Sequence, residues 1–294
     1  MRRQLGQLRV YGRRIRSQSV IRTVREVSHP GKLARHAQRL LQGDISHSNS
    51  YTPSLSTGSE AEFVARLIGC DRAQVDRAFI ELAADASFLA DLEGRYRQVR
   101  PDSSFHIGRF QILYAAVRLR APRTVLETGV HDGLSAAVML RALERNQSGR
   151  LISIDLPSTD LPAGVSGPGW LVHEALRARW HLMLGDAREL LPSLAAAHAP
   201  VDLFIHDSDH SAAHQEFEFR TVRPHLAPTG LIISDQDYPS DPLESLSTEW
   251  NLSHERVRVR AGQPGGFMGG LRPSLLLTWT QLEPVAQVHG TFSL

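Results

Sequence analysis

Between residues 120 and 240, short apolar runs alternate with segments whose apolar positions recur every three or four residues. Runs such as Val125-Leu126, Leu151-Ile152, Leu203-Phe204-Ile205 and Leu231-Ile232-Ile233 predict buried strands at 123–128, 150–155, 180–184, 201–206 and 230–235. Leu134, Ala137, Val138 and Arg141 open a helical face, and the gaps predict helices at about 134–146, 171–179, 187–198, 211–226 and 241–251. Strands alternating with helices signal a parallel sheet covered on both faces. Upstream, Ala61, Phe63, Val64, Leu67 and Ile68, followed by Val75, Phe79, Ile80 and Leu82 and then Phe88, Leu89 and Leu92, predict two helices within 59–98. A further helix is expected to run through Leu119. The tail predicts strands at 255–260 and 274–281, with the glycine-rich Gly262 to Gly270 between them.

The first strand leads into Thr-Val-Leu-Glu-Thr-Gly-Val-His-Asp-Gly-Leu-Ser, residues 124–135. Strand, glycine turn and helix make a nucleotide-binding start, but the spacing is Glu127-x-Gly129-x-x-x-Gly133-x-Ser135, not G-x-G-x-x-G. It resembles motif I of class I S-adenosylmethionine-dependent methyltransferases, and the wider match is to the macrocin O-methyltransferase and cephalosporin-hydroxylase type. The resemblance implies a Rossmann-like α/β sheet with an antiparallel edge strand, carrying a helical N-terminal extension. Three segments are expected: a basic arm and linker at 1–58, a helical cap at 59–102 and the methyltransferase domain at 103–294.

The resemblance also implies where S-adenosylmethionine sits. Glu127, Gly129, Gly133 and Ser135 would hold its methionine end, and Asp155, 28 residues after Glu127 at the end of the second strand, its ribose. Asp186 after the third strand would accept from the adenine amino group, although an Asp there is equally suited to cap the following helix. Ligands in open α/β sheets bind beyond the carboxyl ends of the strands, and two more such ends are acidic: His206-Asp207-Ser-Asp-His210 and Asp235-Gln236-Asp237. If those strands are neighbours, Asp207 and Asp235 sit side by side, where two carboxylates share a proton or bind a cation. Asp207, Asp235 and the Gln236 carbonyl would suit Mg²⁺, as in metal-dependent small-molecule O-methyltransferases, with Asp237 competing for the third position. Asp207 counts among both the cofactor-binding and the catalytic candidates. His210 is the candidate general base, since an imidazole takes a proton near neutral pH. A zinc pair with His214 lacks the internal Glu of H-E-x-x-H. His106 and Arg109 precede a helix that enters the cofactor site in look-alike enzymes. The loop Pro157 to Trp170 and the stretch Gly265 to Gly270 are lid candidates.

Composition narrows the chemistry. Lys32 is the sole lysine and Cys70 the sole cysteine, which excludes phosphate-loop lysines, Schiff bases, intrachain disulfides and Cys-rich metal sites, and suggests a cytoplasmic setting. No apolar run suggests a membrane span. The net charge of +2 conceals an asymmetry: residues 1–40 hold eleven Arg and Lys against Glu26, so the remainder is mildly acidic. The expected function is methyl transfer to a small natural-product or sugar-like hydroxyl, metal-assisted in one variant, with self-association through the N-terminal helices. The alternative is an RNA-associated methyltransferase or RNA-binding module using the arginine arm. Against it stand the missing Asn/Asp-Pro-Pro-aromatic motif and an aromatic content of 6%.

Overall fold

Apolar residues on both sides of a strand require cover on both faces, and that requirement organises this chain. The structure, a computed structural model, describes residues 60–102, 105, 107–157, 161–235, 237, 242–259 and 267–273. The basic arm and linker, the predicted strand at 274–281, His106 and Gln236 lie outside the described residues.

Three helices come first: α1 (Glu60–Ile68), α2 (Arg72–Ala83) and α3 (Ala86–Val99), where two were expected. Next are α4 (Phe110–Arg120), β1 (Thr124–Thr128), α5 (Leu134–Arg145) and β2 (Arg150–Asp155). The predicted helix at 171–179 is a short 3-10 turn, Glu174–Arg179, leading into β3 (Trp180–Leu184). The chain continues through α6 (Ala187–Ala197), β4 (Val201–His206), α7 (Ala212–Val222), β5 (Leu226–Ser234), α8 (Pro242–Glu249), β6 (Leu252–Arg258) and β7 (Phe267–Pro273). The seven strands form one sheet in the order β3-β2-β1-β4-β5-β7-β6, with β7 antiparallel to both neighbours. This is the expected Rossmann-like α/β sheet with an antiparallel edge. No helix among the described residues is long and apolar enough to cross a membrane.

Alternation along the central strands divides the core in two. Val125, Leu151, Leu203, Ile205, Leu231 and Ile233 face one side, where they pack with apolar residues of α1 to α5, such as Phe63, Leu67, Tyr114, Val138 and Leu140. Leu126, Ile152, Ile154, Phe204 and Ile232 face the other, against Leu191 of α6, Phe219 of α7 and Leu243 of α8. The N-terminal helices therefore form part of the cover of one sheet face.

The last strand corrects the reading of the tail. Residues 267–270, assigned above to a glycine-rich spacer or lid, are sheet. A Cβ on Gly269 would lie 2.1 Å from Asp237 Oδ2, and one on Gly270 would lie 2.7 Å from Leu67 Cδ1. These glycines stand in a strand because neighbours approach its backbone too closely for a side chain.

That approach serves a buried ion pair. Arg256 on β6 donates through Nε (2.6 Å) and Nη2 (3.0 Å) to the fully buried Asp237, whose Oδ2 also contacts His254 Nε2 at 2.8 Å. Asp237 is thus committed to the sheet edge and has no lone carboxylate to offer a metal. Truncating Asp237 takes from Arg256 its two most buried bonds and leaves it weaker partners such as Glu244 Oε2 at 3.2 Å, and breaking a buried pair in this way costs about 3–5 kcal/mol. Asp237→Ala should therefore lower the unfolding free energy in urea by that amount, and a loss below about 1 kcal/mol would show the pair to be dispensable.

Candidate functional site

The backbone ladder of the sheet carries on past the strand ends and aligns them. The amide of Gly129 donates to Ile154 O (2.9 Å), that of Asp207 to Thr128 O (2.8 Å) and that of Asp235 to His206 O (2.9 Å). Gly129, Asp207 and Asp235 consequently stand in one row at the carboxyl edge, where an open α/β sheet takes its ligands.

Gly129 has φ +85°, and a Cβ there would lie 2.1 Å from the carbonyl oxygen of Asp207. Gly133 has φ +93° and faces Gly169, whose Cα would be 2.6 Å from an added Cβ. Both positions demand glycine on conformation and on space. The facing segment is the predicted lid loop. It is docked on the turn, Gly169 N donating to His131 O (2.8 Å) and Leu171 N to Asp132 O (3.0 Å). Asp132 Oδ1 in turn accepts from Trp170 Nε1 (2.8 Å) and Arg100 Nη2 (3.0 Å).

The predicted cofactor residues divide by what they touch. Glu127 is fully buried and accepts from Ser135 Oγ and Ser153 Oγ, both at 2.6 Å. Burial pushes its carboxyl up to about 7, against the pull of the two hydroxyls. Ser135 is therefore turned into the protein toward Glu127. Asp155 binds the glycine turn itself: Oδ2 accepts from the amides of His131 (2.7 Å) and Val130 (3.1 Å), and Oδ1 from Leu156 (2.8 Å). Asp186 takes the second of its two expected roles, capping α6 by accepting from Arg188 N at 2.8 Å.

Asp207, Asp235 and His210 come together, with a ligand atom of each within 4.8 Å of the others. Burial, and then the adjacent Asp235, hold the Asp207 carboxyl well above the usual range. Burial raises Asp235 too, while the nearby Arg109 guanidinium opposes the rise. Arg109 Nε lies 2.6 Å from Asp235 Oδ1. The contact is a misaligned ion pair: Asp235 is 4% exposed, yet neither of its carboxylate oxygens receives a well-directed hydrogen bond, and Arg109 Nε makes none. His210 Nε2 is 3.7 Å from Asp207 Oδ1, and its buried Nδ1 has no partner. Burial, and then His206 and Arg109, push this imidazole down to about 3, so it is neutral at pH 7.

The donors fit a divalent ion by type and spacing, with His210 joining the two expected acids. Arg109 already stands against one of them. His214 forms no pair with His210, because its Nε2 is bonded to Glu218 Oε1 at 2.8 Å.

Glu218 is the residue that the sequence reading missed. Fully buried on α7, it accepts from Thr128 Oγ1 (2.6 Å) at the end of β1, from His206 Nδ1 (2.7 Å) at the end of β4, and from Ser208 Oγ (2.8 Å). His206 and His214 hold its carboxyl well below the usual range, although burial alone would raise it. One acid thereby joins the glycine turn to the Asp207–His210 loop. The spacing of His214 and Glu218, four apart on one helix, was the available signal.

Residues 126–236 match a family model described as a methyltransferase domain. That stretch is similar to a methyltransferase domain. It runs from β1 to the end of β5 and holds the glycine turn, Asp155, Asp186, Asp207, His210 and Asp235. No curated protein matches the chain. Solved structures with a similar path include a methyltransferase from Geobacter sulfurreducens, 22% identical, covering 64% of this chain and 89% of that one, TM-score 0.45. Another is the O-methyltransferase TomG from Streptomyces achromogenes, involved in tomaymycin synthesis and solved with SAM: 18% identity, 74% and 97% coverage, TM-score 0.46. A third is an O-methyltransferase from Bacillus cereus in complex with SAH: 16% identity, 72% and 96% coverage, TM-score 0.44.

Burial of Glu127 at the end of β1 gives a signed pH prediction. Its folded pKa of about 7 exceeds its ordinary 4.5, so the folded state holds the proton more tightly. The associated stability is complete below about pH 4.5 and is lost as the pH rises through 7. In urea melts from pH 4 to pH 8, wild type should lose stability relative to Glu127→Gln across that window. A difference that stays level would contradict the raised pKa.

Proposed function

We propose that the methyltransferase domain transfers the S-adenosylmethionine methyl group to a hydroxyl of a small molecule. The acceptor class would be a natural product or a sugar-like compound. The observation that carries this reading is the row of Gly129, Asp207 and Asp235 with His210 beside it. It sets a glycine turn of close backbone approach against a cluster able to hold and deprotonate an oxygen.

In this reading Gly129 and Gly133 let the turn close against Asp207 and Gly169, which shapes the backbone that the cofactor meets. Asp155 holds the turn by its two amides and keeps acceptor capacity toward ribose hydroxyls. Glu127 supports the same turn from beneath, through Ser135 and Ser153. The acceptor O–H gives its proton to the neutral His210, its oxygen attacks the methyl carbon in line, and the bond from that carbon to sulfur breaks, leaving S-adenosylhomocysteine. The sulfonium is already a strong electrophile, so the protein contributes chiefly position, with His210 accepting the proton only as the new bond to carbon forms. A divalent ion, when bound, would be held by Asp207 and Asp235, leaving the lone pair of His210 for the proton, and would polarise the acceptor oxygen. The RNA-associated alternative depends on the arginine arm, and the site described above has no feature specific to a nucleic acid.

Calorimetry with S-adenosylhomocysteine and transfer assays with labelled S-adenosylmethionine over a hydroxyl library test the reading. Gly129→Ala should abolish uptake of S-adenosylhomocysteine, because its Cβ would strike the Asp207 carbonyl. His210→Ala should keep that uptake and lower kcat by about 10²–10⁴-fold, the usual worth of a positioned base. No binding of S-adenosylhomocysteine by the wild type would refute the proposal.

A further inference from the structure

Two adjacent carboxyl groups, Asp235 buried and Asp207 half-buried, need positive charge or a proton. The structure supplies the charge from its own chain, through a residue that precedes α4 and is remote in sequence from both acids. We infer that Arg109 is the resident counter-ion of the Asp207–Asp235 pair and competes with divalent cations for it.

The first support is charge. With both acids ionised the pair carries two negative charges; the guanidinium leaves one, and a single shared proton removes that. A divalent ion would neutralise the pair alone, but beside Arg109 it would leave an unmatched positive charge in a buried site. The second is space. Arg109 Nε lies 2.6 Å from Asp235 Oδ1, one of the two oxygens that an ion could bind at roughly 2.0–2.1 Å for Mg²⁺. The two cations would approach the same carboxylate. The third is imperfect pairing. Asp235 is more than nine-tenths buried with both oxygens lacking a directed hydrogen bond, and the nearby Nδ1 of His210 is buried and unpartnered. These atoms are donors that a metal could use and that Arg109 does not saturate. The Arg109 side chain is 27% exposed, with its guanidinium carbon 5.2 Å from the centre of the Phe110 ring, so solvent reaches part of the group although Nε is buried. Withdrawal of Arg109 is the step that would free the pair for an ion.

The inference concerns the carboxylate pair and does not depend on which acceptor is methylated. Mn²⁺ binding to the full chain, read by loss of the free-ion EPR signal, tests it without a substrate. Arg109→Gln should bind one Mn²⁺ on the order of tenfold tighter than wild type, within the usual range of coupling between sites. The double variant Arg109→Gln/Asp235→Asn should lose that binding. Arg109→Lys, which keeps the charge but not the planar fork, should fall between wild type and Arg109→Gln, and it carries the test should the glutamine variant fail to fold. Equal or tighter binding by wild type overturns the inference. So does the absence of saturable Mn²⁺ binding in Arg109→Gln, or binding that survives in the double variant. Failure of S-adenosylhomocysteine to bind would strike the proposed methyl transfer alone, so the two failures are distinguishable.

Discussion

Buried negative charge at the carboxyl edge of the sheet is the constraint from which the rest follows. Glu127, Asp207, Glu218 and Asp235 all sit where β1, β4 and β5 end or behind those ends, and an isolated carboxylate in such a place is too costly to keep. Each is satisfied by a different device. Glu127 is shifted toward its protonated form between two serine hydroxyls. Glu218 stays charged because two imidazoles and two hydroxyls surround it. Asp207 and Asp235 lean on each other and on Arg109. Only the last arrangement leaves carboxylate oxygens without a directed hydrogen bond, and it stands at the carboxyl edge of the sheet. Strain of this kind concentrates where chemistry is carried out.

The second condition is closeness. Parallel strands bring Thr128 and His206 opposite each other, but the chain must then turn away from Thr128 without a side chain striking Asp207. Gly129 meets this at the front of the turn, and Gly133 against Gly169 meets it at the back. The carboxylate of Asp155 fixes the amides between them. The turn is held by acids from β2 and, through Ser135, from β1, so the same residue type that creates the electrostatic problem also supplies the scaffold.

Much of this was legible in the sequence, and the failures share a cause. Strands β1, β2, β4 and the end of β5 announce themselves because both faces are apolar, and Gly129, Gly133, Asp207 and Asp235 are placed relative to those strands. What a side chain bonds to is a different matter. Asp155 and Asp186 stand at the strand ends, and their oxygens meet backbone amides of the turn and of α6, bonds that no spacing rule announces. Glu218 looks like a surface acid in a polar helical stretch, and only the folding of α7 onto the ends of β1 and β4 buries it. β7 was misplaced because Gly269 and Gly270 read as a loop, whereas the close approach of Asp237 and Leu67 is a tertiary fact.

The helices before the sheet gain significance from the same electrostatics. Residues of α1, α2 and α4 pack with β1 and β5 in one core, so the start of α4 is fixed relative to the strand ends. Arg109 stands at that start, and its guanidinium reaches Asp235 across the edge of the sheet. The pair Asp207–Asp235 lies within the segment that matches a methyltransferase domain, but its positive partner lies outside that segment. A site whose negative half belongs to the sheet and whose positive half arrives with the helical layer is complete only when the two layers are docked. The layer that covers the apolar face of the sheet therefore also sets the charge of the cleft, and a change in how it seats would be felt at Asp235 before it reached the glycine turn.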